Sequence, residues 1–258
     1  MRMKLNRFFR FIGVSLAISL SISAVEISNT EQAVDMAGKQ RMFAFRILKD
    51  YLMVSMESEY KNPKENMVES LKDFSETQLA LKKYVKDKHT QSLLTTVDKD
   101  FAEVEKMTAQ PFKKENGDTY LKEVLQLRSA THEVVLSLQQ ASGEKSAEVI
   151  NKMGRLRAVS QKINAIYLLK TMGISSEMTN KGMESAMKTF KDSLDFLMKT
   201  EFMDTQMQKK IKKLSQIYRF FQVMNESDNY VPTIISKKSD KMLKYADELT
   251  KLYINKKN

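Results

Sequence analysis

The chain is 258 residues long and 42% hydrophobic, with a formal net charge of +11, no cysteine and only two histidines. Lack of cysteine excludes disulfides, thiolate chemistry and cysteine-ligated metals, and two histidines leave no histidine-rich metal site. The positive surplus favours anionic ligands or surfaces, although Lys209, Lys210, Lys212 and Lys213 also read as the solvated face of a helix.

Residues 1–24 read as a secretory signal peptide. Arg2, Lys4, Arg7 and Arg10 precede an apolar run from Phe11 to Ile22, and Ser21, Ser23 and Ala24 offer small residues for cleavage. That run is shorter than the roughly 20 residues of a membrane span. The expected location is therefore periplasmic or secreted. The alternative is an uncleaved N-terminal anchor, lengthened by Phe8, Phe9 and Phe11, which would be the chain's one link to the membrane. The segment holds four of the positive charges and no acid, leaving +7 for the remainder. An exported protein has little access to nucleic acid, so none is expected as a partner.

Beyond the signal, glycine and proline are scarce, while methionine, leucine, lysine and glutamate are common, which suits helices. The breaks predict about eight of them. Asn62-Pro63-Lys64-Glu65 reads as a helix start with a capping asparagine and proline at the first helical position. Pro111 and Glu115-Asn116-Gly117-Asp118 mark a loop, Ser142-Gly143 a second, and Gly173 with Ser175 and Ser176 a third. Asp204 and Pro232 open the last two helices.

An internal repeat organises these elements. A shift of about 116 positions lays Gly38 on Gly154, Arg41 on Arg157, Ile47 on Ile163 and Tyr51 on Tyr167. In the next helix Met67, Leu71, Phe74, Gln78 and Leu81 fall on Met183, Met187, Phe190, Leu194 and Leu197, each set on one helix face. Four helices with short connections per half point to an all-α fold of tandem antiparallel four-helix bundles, over residues 25–143 and 144–258. A single elongated bundle with shared helices is the architectural alternative.

The most informative segments are Val34 to Ile47 and Ile150 to Ile163. Each places a glycine inside a helix, where it costs about 0.5–1 kcal/mol against alanine and lets a backbone or ligand approach. Arginine follows one turn later on the same face. A guanidinium is a planar fork of donors suited to nitrate, nitrite or a carboxylate. Two such arginines, one from each half, repel each other unless an anion lies between them. The alternative is that Gly38 and Gly154 only permit close packing, with the arginines reaching solvent or pairing with an acid.

These segments resemble the conserved box of the type IV pili methyl-accepting chemotaxis transducer N-terminal (PilJ-type) family, related to the periplasmic sensor domain of nitrate/nitrite-responsive histidine kinases. The first copy matches at Ala37, Gly38, Gln40, Arg41, Met42 and Arg46, with Lys39 a basic replacement. The second matches at Asn151, Gly154, Arg155, Arg157, Ser160 and Gln161, with Lys162 basic. Asn229 to Ile235 and Ser239 to Leu243 look like the lead-in to that family's last helix. The resemblance implies a ligand site where glycine and arginine of two bundles meet, implicating Gly38, Arg41, Gly154 and Arg157, with Arg46 in a second tier. It further implies that one chain supplies both halves of a site that the related sensors build from two subunits. Departures fall at Asp35, where the family has asparagine, at Ala44-Phe45 and at Ala158-Val159. No signalling linker, kinase or methyl-accepting region follows the second box, so a membrane receptor or envelope protein is the expected partner.

Other chemistry is sparse. His89 and His132 have no acidic ligand at metal spacing and read as structural or solvent-facing. Glu103, Glu105, Asp192 and Asp195 sit among lysines as surface ion pairs, and Phe74, Phe190, Phe220, Phe221 and the methionines read as core. No nucleophile motif, phosphate loop or zinc signature is found, so neither catalysis nor a cofactor is expected. Two functions remain: an exported sensor-type module binding a small oxyanion, or an envelope scaffold associated with pili or chemoreceptors and lacking a small-molecule ligand.

Overall fold

The computed structural model describes residues 26–201, 203–225 and 231–257. The signal segment therefore lies outside the described residues, as do Asn229 and Tyr230 of the lead-in to the last helix. The described chain forms eight α-helices and no strand: α1 (Thr30–Ser55), α2 (Pro63–Tyr84), α3 (Lys88–Thr108), α4 (Gly117–Ser142), α5 (Lys145–Thr171), α6 (Glu177–Met198), α7 (Thr205–Asn225) and α8 (Pro232–Lys257). A single 3-10 turn, Lys114–Asn116, leads into α4. A shift of 116 carries each of α1 to α4 onto α5 to α8 within about two residues at either end.

Local chemistry sets these limits. The Asn29 side chain accepts from the Gln32 amide at 2.9 Å, Asp87 from Thr90 at 2.8 Å, and Asp204 from Gln206 and Met207 at 2.9 Å each. Each occupies one or two of the amides that a helix start leaves unpaired. Ser176 and Thr179 form a reciprocal capping box at the start of α6. Asn62 departs from the expectation. It stands at φ 46°, in the left-handed region, and its side chain makes no capping bond, reaching Glu65 at 3.1 Å instead. Pro63 alone carries the start of α2, its fixed φ suiting the first helical position. At Gly143 the backbone turns to φ 63°, which ends α4 and lets α5 begin two residues on.

Helices α1 to α4 pack as one antiparallel bundle and α5 to α8 as the other, with α1 laid against α5 along the join. The two central helices are correspondingly buried on nearly all sides. Nineteen of the 26 residues of α1 and 20 of the 27 of α5 are buried, against six of 21 in α3, which presents one face to water. Phe74 and Phe190, equivalent in the repeat, are both fully buried, each in its own bundle. No described helix is long and apolar enough to cross a membrane.

Candidate functional site

Close approach of α1 and α5 depends on the two box glycines. A Cβ built on Gly154 would lie 3.7 Å from the Gly38 Cα, and one on Gly38 would lie 3.9 Å from the Gly154 Cα. The glycines thus face each other across the crossing, with no side chain between the backbones. The Arg41 Nη2 covers both, 3.3 Å from the Gly38 Cβ position and 2.8 Å from that of Gly154. Gly38, Arg41, Gly154 and Arg157 therefore meet at one place, in the core between the bundles. Arg41 and Arg157 are 0% and 1% exposed, and head the largest fully buried side chains.

Burying two guanidinium groups is costly unless each is paired, and the pairing is crossed between the repeats. Arg41, from the first, donates through Nη1 to the Asn151 Oδ1 at 2.7 Å and through Nη2 to the Asn151 carbonyl at 3.3 Å. Arg157, from the second, donates to the Asp35 carboxylate and, at 3.3 Å, to Asp247. Asp35 and Asn151 are equivalent positions under the 116-residue shift. One interaction, Arg to residue 35 or 151 of the other repeat, thus occurs twice about a pseudo-twofold, once with a carboxylate and once with its neutral amide analogue.

The two sides differ sharply in charge. Burial raises the pKa of Asp35, but attraction to Arg157 and Lys39 outweighs it, so the carboxyl titrates below its ordinary range. Arg41 meets no carboxylate. Its remaining partner is His132 on α4, whose Nδ1 lies 3.1 Å from Nη1. Arginine only donates, so this nitrogen accepts and the imidazole carries its proton on Nε2. Burial, with repulsion from Arg41, Arg128 and Arg155, pushes the His132 pKa down to about 3, keeping it neutral. Burial also drives the Arg41 pKa well down, helped by repulsion from Arg128, Arg155 and Arg157 and only partly offset by attraction to Asp35. An arginine does not lose its proton in a protein, so the guanidinium stays charged while its hydrogen-bond partners are all neutral. Nε of Arg41 finds no hydrogen-bond partner, and neither does Nε of Arg157.

Arg46 does not join the pair at the crossing. It lies on the Arg157 side, 3.8 Å from Asp50 and 3.9 Å from Glu69, near Lys39. Sequence reasoning missed Asn151 as a partner of Arg41 and left His132 structural or solvent-facing, although it lies against Arg41. Arg128 was not singled out at all. The available signal was that Arg128 and Lys244 are equivalent in the repeat and both basic. Among the described residues no group of three metal-ligating side chains is found. No family model, no curated protein and no solved structure matches this chain.

Proposed function

We propose that the protein is a non-catalytic, exported ligand-binding module of the cell envelope, which takes a small oxyanion at Arg41 between its two repeats and reports occupancy to a membrane receptor. The observation that carries this reading is the fully buried Arg41 guanidinium, held only by neutral partners while its equivalent Arg157 has two carboxylates. A planar anion of the nitrate, nitrite or formate kind would supply the missing charge and accept the planar donor fork. Setting the site between the bundles gives the ligand a means of changing how they pack, which a partner protein could sense.

Thermal-shift and calorimetric titration of the purified protein with nitrate, nitrite, formate and acetate test the reading. A ligand that binds only the native state raises the melting temperature. Saturable binding by at least one of these anions, lost in Arg41→Ala, is the expected result. Binding that survives both Arg41→Ala and Arg157→Ala overturns it. The scaffold reading draws on Asp35, the internal carboxylate that already satisfies one of the two boxes. A flat anion screen together with a stably co-purifying envelope protein would favour that alternative.

A further inference from the structure

Each side of the α1–α5 crossing opens into a cavity, and the two cavities are equivalent under the repeat. Beside Arg41 the walls carry Arg128 from α4 with Arg155 and Lys162 from α5. Beside Arg157 the equivalent positions are Lys244, Lys39 and Arg46, and Lys49, Lys61 and Lys251 line that cavity as well. All four basic positions, the central arginine included, are thus kept in both repeats. The acids are not. Asp35, Asp73 and Asp247 sit in or beside the Arg157 cavity, and their equivalents on the other side are Asn151, Thr189 and Thr131.

We propose that the cavity formed by Arg41, Arg128, Arg155 and Lys162 binds a compact polyanion with two or more clustered oxyanion groups, while in the equivalent cavity Asp35 and Asp247 already answer the central Arg157. This rests on the oxyanion reading at Arg41 and deepens it by naming the ligand's charge and the side on which it binds.

Four observations support the assignment. No acid lines the Arg41 cavity, and Arg128, Arg155 and Lys162 form no ion pair among the described residues. Glu133, Glu148 and Asp192 attract the two arginines only from a distance. The bases are also half-buried and crowd one another. Burial, then repulsion from Arg128, brings the Lys162 pKa down to about 8, and burial with repulsion from Arg155 lowers that of Arg128. Unpaired donors remain, since Nε of Arg155 is buried without a hydrogen-bond partner, like that of Arg41. Lys162 reaches the Ser185 hydroxyl at 3.4 Å and stands over the Phe45 ring, 5.9 Å from its centroid. Finally, the cavity measures about 170 Å³, below the roughly 300–1,000 Å³ of sites for drug-sized ligands. Exposed Ser129 and Ser185 at its rim leave a mouth to solvent. Such a site takes a small, highly charged molecule, and a single negative charge leaves most of the four cations unanswered.

The test is isothermal titration calorimetry of the whole chain with nitrate, citrate and pyrophosphate in low salt. Citrate and pyrophosphate distinguish a carboxylate from a phosphate source of the same chemistry. At least one of them should bind at one molecule per chain and at least tenfold more tightly than nitrate. The double variant Arg155→Ala with Lys162→Ala should lose tenfold or more of that affinity, and Lys244→Ala in the other cavity should leave it unchanged. Asn151→Asp supplies Arg41 with the carboxylate found on the other side, so it should abolish polyanion binding while raising the melting temperature, a combination misfolding does not produce. Nitrate binding equal to that of the polyanions and indifferent to Arg155 and Lys162 overturns this inference and leaves the Arg41 reading standing. Equal losses in Lys244→Ala overturn it as general surface attraction. No binding of any probe overturns this inference, and the Arg41 reading falls with it only if nitrite, formate and acetate also fail to bind.

Discussion

The two faces of the α1–α5 crossing share one backbone plan and differ in their anions. On one face Asp35 closes the site around Arg157 from inside; on the other Asn151 occupies the same position and Arg41 has only neutral partners. Asparagine matches the shape and one acceptor of aspartate but carries no charge. A change of this size keeps the shape, removes the charge and turns one acceptor into a donor, which Asn151 gives to the Gln139 Oε1 at 2.6 Å. Duplication within one chain makes such divergence possible, since a symmetric homodimer must carry the same residue on both sides.

The largest test of this difference is removal of the internal anion. In Asp35→Ala the Arg157 guanidinium keeps only the half-buried Asp247, at 3.3 Å. Breaking a buried pair by deleting one partner costs about 3–5 kcal/mol, so the urea midpoint should fall steeply. Asn151→Ala removes a neutral acceptor from Arg41 and should cost about 1–3 kcal/mol. Equal losses would mean that the faces are energetically alike. The comparison sharpens with added acetate, which should restore part of the stability of Asp35→Ala by occupying the vacated carboxylate position.

The glycines come next. Alanine in a helix interior gains roughly 1 kcal/mol over glycine, but at Gly154 its Cβ would come within 2.8 Å of the Arg41 Nη2. That nitrogen ends a flexible side chain, yet its hydrogen bond to the Asn151 carbonyl holds it in place. Gly154→Ala should therefore destabilise by about 1–3 kcal/mol, the usual range for overpacking. At Gly38 the same nitrogen lies 3.3 Å from the Cβ position, so Gly38→Ala should lie within about 1 kcal/mol of the wild type. Thermal unfolding of the two single variants checks the order, and a greater loss at Gly38 would break it.

Much of this arrangement was legible in the sequence. Helix limits followed from Pro63, Gly143, Asp204 and Pro232, and the 116-residue register alone brought Gly38, Arg41, Gly154 and Arg157 into correspondence. The crossed pairing was hidden, because Arg41 to Asn151 and Asp35 to Arg157 span 110 and 122 residues. No spacing within one helix encodes them. Asp35 and Asn151 also lie six residues before their own arginines, on a different part of the helix turn. The absence of acids from the lining of the Arg41 cavity was equally obscure. Thr131 and Thr189 are ordinary helix residues until their equivalents prove to be Asp247 and Asp73 around the other arginine.

The smallest expected effect is on acid stability, where the two faces should titrate in different windows. His132 on the Arg41 face has a folded pKa of about 3, against about 6.5 for an unfolded histidine. The folded state thus prefers the neutral ring. Its contribution is complete above about pH 6.5 and is lost progressively as pH falls from there towards 3, with proton uptake on unfolding. Because His132 is only part buried, solvent screening should hold the slope to a fraction of one proton. Asp35 on the other face has a lowered pKa, so its contribution is complete above about 3.9, the unfolded value, and fails only at lower pH. Urea midpoints between pH 7 and 4.5 should therefore drift downwards in the wild type. They should drift less in His132→Gln, whose amide oxygen can still accept from Arg41 and never charges. An equal drift in both proteins would mean that burial and the surrounding arginines do not hold the ring neutral, and the contrast between the faces would then rest on the carboxylates alone.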